Sequence, residues 1–72
     1  MSGATAEQFK EWRERYQSKS YTWNMLTHAF QDCRKASRAM QGWNPEKENL
    51  YADEAWTIAD EMNVRRKKNR IR

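Results

Sequence analysis

Cysteine and histidine occur once each, as Cys33 and His28. One cysteine cannot form an internal disulfide, and one of each excludes a four-ligand Cys/His zinc site within the chain. Proline also occurs once and glycine twice. There is no low-complexity linker, no internal repeat and no strand pattern. No apolar run approaches the length that spans a bilayer. The opening residues, Met1-Ser2-Gly3-Ala4, lack the basic-then-apolar pattern of a secretory signal. The expectation is cytoplasmic residence, no membrane partner and a reduced thiol at Cys33. Phosphate loops and dinucleotide fingerprints are missing too. Neither a cofactor nor a small-molecule substrate is expected.

The chemistry of catalysis is equally sparse. A nucleophile needs a base within hydrogen-bond reach. His28 and Cys33 are five positions apart on one expected helix, which turns them about 140° away from each other. His28 and Asp32 share a face, as an ordinary surface pair does. The acidic residues Asp53, Glu54, Asp60 and Glu61 fall on what reads as a solvated face, with no histidine among them. No catalytic residue and no metal ligand is assigned, and the chain reads as non-enzymatic.

What the chain does contain is aromatic residues and charge. Four Trp, three Tyr and two Phe are too much apolar surface for a disordered chain. Seventy-two residues make one domain at most, and a core of that size rarely contributes more than ~3–5 kcal/mol. The net charge of +4 is unevenly placed. Residues 44–64 carry six acidic groups and one basic; residues 65–72 carry six basic groups and none acidic.

The chain is organised around Gln41-Gly42-Trp43-Asn44-Pro45. Gly42 can adopt the left-handed conformation that closes a helix. Asn44 is a favoured N-cap and Pro45 suits the first helical position. Apolar patterns of helical period flank this turn, so two helices should fold back on each other. The first runs over about residues 22–41, capped by Ser20 or Thr22. Its seam is Trp23, Leu26, Phe30, Cys33, Ser37 and Met40, with spacings of three and four. The second runs from Pro45 to about Val64. Tyr51, Ala52, Ala55, Trp56, Ile58, Ala59 and Met62 share one face of it. Folding about Trp43 sets Trp23 near Met62, Leu26 near Ala59, Phe30 near Ala55 and Cys33 near Ala52. Large residues then meet small ones, which allows close packing.

Ahead of the hairpin, Thr5-Ala6-Glu7-Gln8 matches a capping box and predicts a helix over about residues 6–17, with residues 1–4 frayed. Phe9, Trp12 and Tyr16 form one stripe on it. The fold class is therefore all-α: an antiparallel hairpin of about 22–41 and 45–64 with a short N-terminal helix, three helices in all. Residues 1–64 read as a single helical domain and 65–72 as a basic C-terminal tail.

Two features exceed what such a fold requires. One is the tail: one or two cations satisfy a helix C-terminus, whereas this run has six. Runs of this kind neutralise nucleic-acid phosphates. The expected contacts are Arg34, Lys35 and Arg38, together with Arg65, Arg66, Lys67, Lys68, Arg70 and Arg72. No convincing recognition helix is present, so backbone contact should dominate base readout, and DNA and RNA are not distinguished. The other feature is aromatic surplus. Trp43 sits in the turn, where it either stacks on Arg38 or stands exposed as an interface anchor. Trp12 and Trp56 are candidates for the same role, although core packing is the simpler reading of the stripe containing Trp12. The main expectation is thus a small regulatory protein that binds nucleic acid. The alternative is an interaction module or inhibitor that binds a larger protein through exposed aromatics and the acidic third helix. Phe9, Trp12, Tyr16, Tyr21, Trp43 and Trp56 also need cover, which leads to an expectation of a homodimer.

Overall fold

A computed structural model describes residues 4–70. Among them are three helices and no strand: α1 (Ala6–Tyr16), α2 (Trp23–Met40) and α3 (Pro45–Arg70). The predicted caps are all present. Thr5 and Gln8 exchange the two bonds of a capping box, at 3.2 Å and 3.0 Å. Of the two candidates for the start of α2, Thr22 is the cap: its Oγ1 accepts from the Met25 amide at 3.2 Å. Gly42 has φ +90°, the left-handed value that ends α2 without a Cβ penalty. Asn44 Oδ1 then accepts from the Lys47 amide at 3.2 Å and opens α3.

The register of the hairpin is the predicted one. Ser37, the polar interruption in the α2 seam, donates from Oγ to the Glu48 carbonyl at 2.9 Å. Ser37 and Glu48 are equally far from the turn, as are the members of each predicted pair. The hydroxyl therefore finds a partner across the hairpin rather than weakening the seam.

The core draws a pair from each helix: Trp12 and Tyr16, Leu26 and Cys33, Ala55 and Ile58. Leu26 and Ile58 are fully buried. Phe9 packs edge-on against Trp12 at 5.5 Å, and Tyr16 edge-on against Tyr21 at 5.0 Å. Each such contact adds to the burial itself. The α1 stripe thus docks inside the chain, and it docks mainly on α3.

That docking corrects the expected face of α3 in part: Ala55 and Ile58 are buried as expected, but the rest is shifted. With a neighbour on each side, α3 turns Ile58 inward, buries Thr57 and leaves Trp56 exposed. Asp53, Glu54 and Glu61 do not lie on a solvated face. Asp53 accepts from the Ala4 amide at 3.0 Å, and Glu54 accepts from the Tyr16 hydroxyl at 2.5 Å. Glu61 pairs with Arg65 at 2.6 Å. Asp60 alone of the four is exposed. Ala4 is likewise held rather than frayed, while residues 1–3 lie outside the described residues.

α3 also continues to Arg70 instead of ending near Val64. Residues 65–70 contain neither Gly nor Pro, and Arg and Lys are good helix formers that suit a C-terminal dipole. At ~1.5 Å per residue, α3 outruns α2 and reaches the α1–α2 joint. There the Arg65 guanidinium donates from Nη1 to the Tyr21 carbonyl at 2.6 Å. From Nη2 it donates to the carbonyls of Tyr16 at 3.1 Å and Ser18 at 3.2 Å. Its Nε is the atom that meets Glu61. One side chain thereby satisfies the Tyr16 carbonyl at the end of α1 and ties it to the carbonyls of Ser18 and Tyr21 in the joint.

The Glu54 carboxylate sits beside two weak acids of the core. Burial first, then the bond and charge of Glu54, push the Tyr16 hydroxyl above its ordinary value. Burial also pushes the Cys33 thiol up to about 12, with the charges of Glu54 and Asp32 adding to it. Both groups resist ionisation when folded but ionise normally when unfolded. Their contribution to stability is therefore intact below about pH 9 and is lost as pH rises through the folded values. Urea midpoints should hold steady up to about pH 9 and fall steadily toward about pH 11. Cys33→Ala should flatten part of that fall. A midpoint that rises over the interval would contradict this arrangement.

Candidate nucleic-acid interface

On the side of the hairpin away from α1, α2 and α3 enclose an open groove of about 450 Å³. From α2 it takes Phe30, Arg34 and Arg38, spaced four apart so that they share a face. From α3 it takes Ala52, Ala55, Trp56 and Ala59. The three alanines keep the floor low between the bulkier walls. The Arg34 guanidinium lies over the Phe30 ring at 5.7 Å, a cation–π contact that holds the charge at the rim. Glu48 is the one acid lining this groove. Trp56 stands at its edge with 70% of its surface exposed.

The structure sorts the predicted residues into groups. Arg34, Arg38 and Trp56 come together in the groove. Lys35 is exposed but turns about 100° away from Arg34 on the helix. Arg66, Lys67 and Lys68 are exposed along the last turns of α3. Arg66 is seven positions past Ala59, so it continues the alanine stripe about 10 Å further along. Arg70 is the last residue of α3, and Arg72 lies outside the described residues. Arg65 is withdrawn from the set of phosphate contacts, because its guanidinium is committed to the α1–α2 joint.

Trp12 is withdrawn as an interface residue, since only 7% of it is exposed and it lies in the core. Trp43 is the reverse case. It is 69% exposed, and its indole Nε1 donates to the Ala39 carbonyl at 2.8 Å. The ring is thus fixed against the end of α2 and presented outward. Spacing alone places Phe30, Ala52 and Ala59 in the core, whereas the structure leaves them partly exposed. Their partial exposure depends on which side α1 covers, and no single helix carries that signal.

Among the described residues no group of three or more Cys, His, Asp or Glu could hold a metal ion. None of their helices is long and apolar enough to cross a membrane. No protein-family model, curated protein or solved structure matches the chain.

Proposed function

We propose that the protein is a small non-enzymatic regulator that binds nucleic acid through phosphate contacts. The observation that carries this reading is the convergence of Arg34 and Arg38 with two aromatic side chains on one open groove. The cationic end of α3 supports it. Arg66 extends the groove's line, while Lys67 and Lys68 fan outward by 100° steps. Cations spread around a helix end suit a flexible phosphate chain better than a fixed base edge.

Binding of a labelled oligonucleotide, followed by anisotropy, tests this. About four phosphate contacts should lose roughly 50- to 150-fold in affinity between about 50 and 200 mM salt. Replacing Arg66, Lys67 and Lys68 together by alanine should weaken binding and flatten the salt dependence. Deleting residues 65–72 is a poorer test, because it also removes the Arg65 clasp. Absence of binding at low salt, or binding indifferent to salt, would discard the reading.

A protein partner is the second reading, and the fixed, exposed Trp43 favours it. Its other support has narrowed, since Asp53, Glu54 and Glu61 are engaged within the chain. Nuclease treatment separates the two: a partner retained after nuclease and lost with Trp43→Ala would favour the second. A homodimer remains a proposal with less to recommend it than the sequence suggests. Trp12 and Tyr16 are buried, and Phe9 and Tyr21 half-buried, by packing within one chain.

A further inference from the structure

We propose, on the basis of the nucleic-acid reading, that the α2–α3 groove accepts a single strand, one base of which stacks on the Trp56 indole. The strand's phosphates pass Arg34 and Arg38 and continue toward Arg66.

Shape argues first. Helices packed side by side have axes ~8–10 Å apart. The trough between them admits a flat base or one extended chain, not a duplex. Duplex readout runs the other way, with a convex helix entering a major groove about 12 Å wide. Here the charged and aromatic side chains line a concavity.

Chemistry agrees with shape. Trp56 is exposed and takes no part in the core, so its π-face is open to a planar partner. Ala52 and Ala59 stand one turn to either side of it along α3, leaving room for a ring to slide against the indole. Across the groove, Arg34 over Phe30 supplies a second planar surface with a positive charge. Aromatic and guanidinium planes are what hold unstacked bases, with little dependence on sequence. Two arginines against Glu48 leave the groove net positive, as a phosphate chain requires.

A second copy is the other candidate occupant. A two-fold dimer across this groove would bring the same patch of both copies together. Arg34 and Arg38 of each would share one small interface, and like charges oppose that. Charge complementarity therefore favours the strand.

The test uses the full chain. Tryptophan emission is titrated with an oligothymidine or oligouridine of about 12 nucleotides and with a duplex of equal length, at low salt. The expected result is tighter binding of a single strand than of the duplex, by at least about tenfold. Trp56→Ala should weaken single-strand binding roughly 5- to 150-fold, the range for losing one stacked base, and remove most of the emission change. Trp56→Phe should restore most of the affinity, while Trp43→Ala should leave it unchanged. Helical content by circular dichroism establishes that each variant is folded. Equal binding of strand and duplex, or single-strand binding indifferent to Trp56, overturns the inference and leaves the proposed function standing. Binding of neither overturns both. A doubled mass by light scattering, with Trp56 emission that shifts on dilution, assigns the groove to a second copy and overturns the inference.

Discussion

Arg65→Ala should lower the melting temperature by about 10–25 °C, a loss of about 2–4 kcal/mol at the usual conversion for a domain this small. Its guanidinium makes four hydrogen bonds, three of them to backbone carbonyls, of Tyr16 at the end of α1 and of Ser18 and Tyr21 in the segment that follows. A charged hydrogen bond contributes ~1.5–3 kcal/mol in isolation, although bonds from one side chain do not add. The expected loss is large because alanine takes this donor from the Tyr16 and Tyr21 carbonyls and from the half-buried Glu61, while the Ser18 carbonyl keeps the Tyr21 amide. It is also a large share of the ~3–5 kcal/mol that so small a core supplies. Lysine should recover little. Its ammonium is a point charge and cannot span three carbonyls as the planar fork does. Arg66→Ala is the control, because Arg66 is exposed and surface changes stay within about ±0.5 kcal/mol. Thermal melts followed by circular dichroism decide the matter. If the two alanine variants melted together, the clasp would not hold the joint.

The same residue shows where sequence reading stops. The caps at Thr5, Thr22 and Asn44 and the left-handed Gly42 were legible, because each rests on neighbours within four positions. The hairpin register was legible because two long patterns and a short turn admit few alignments, and the Ser37–Glu48 bond falls in the one chosen. The rotation of α3 was not. A wheel drawn for one partner centres on the alanines, whereas two partners move the centre to Ile58 and bring Asp53, Glu54 and Glu61 against α1 and the joint. Charge counting then misled twice. It placed three engaged acids in solvent, and it grouped Arg65 with the basic tail. One clue was present: Arg65 lies seven positions past Ile58, on the same side of the helix, and four past Glu61. A cation on the buried line of a helix is a structural candidate before it is a ligand contact. The groove escaped for a related reason. Phe30 shares a seam with Leu26 and Cys33, and only the position of α1 separates covered residues from open ones.

Leu26→Ala should cost about 2–5 kcal/mol, enough to leave much of the protein unfolded without denaturant. Leu26 and Ile58 are fully buried where the three helices meet, in a cluster with Trp12 and Tyr16 of α1. Truncation there removes apolar contacts and opens a cavity that three helices cannot easily close. The loss is comparable with the ~3–5 kcal/mol expected of the whole core. Ile58→Val removes one methylene and should cost only about 0.5–1.5 kcal/mol. Trp43→Ala and Trp56→Ala, though larger truncations, should change stability by no more than about 0.5 kcal/mol, because both rings lie mostly in water. This ordering inverts what side-chain size alone would suggest. Urea melts monitored at the helical band would establish it for all four variants. A Leu26→Ala cost below about 1 kcal/mol, or a Trp56→Ala cost above it, would move the core to the groove side of the hairpin. In that case α1 would not be the cover that leaves the groove open, and Trp56 would be a packing residue rather than a surface on which a base can stack.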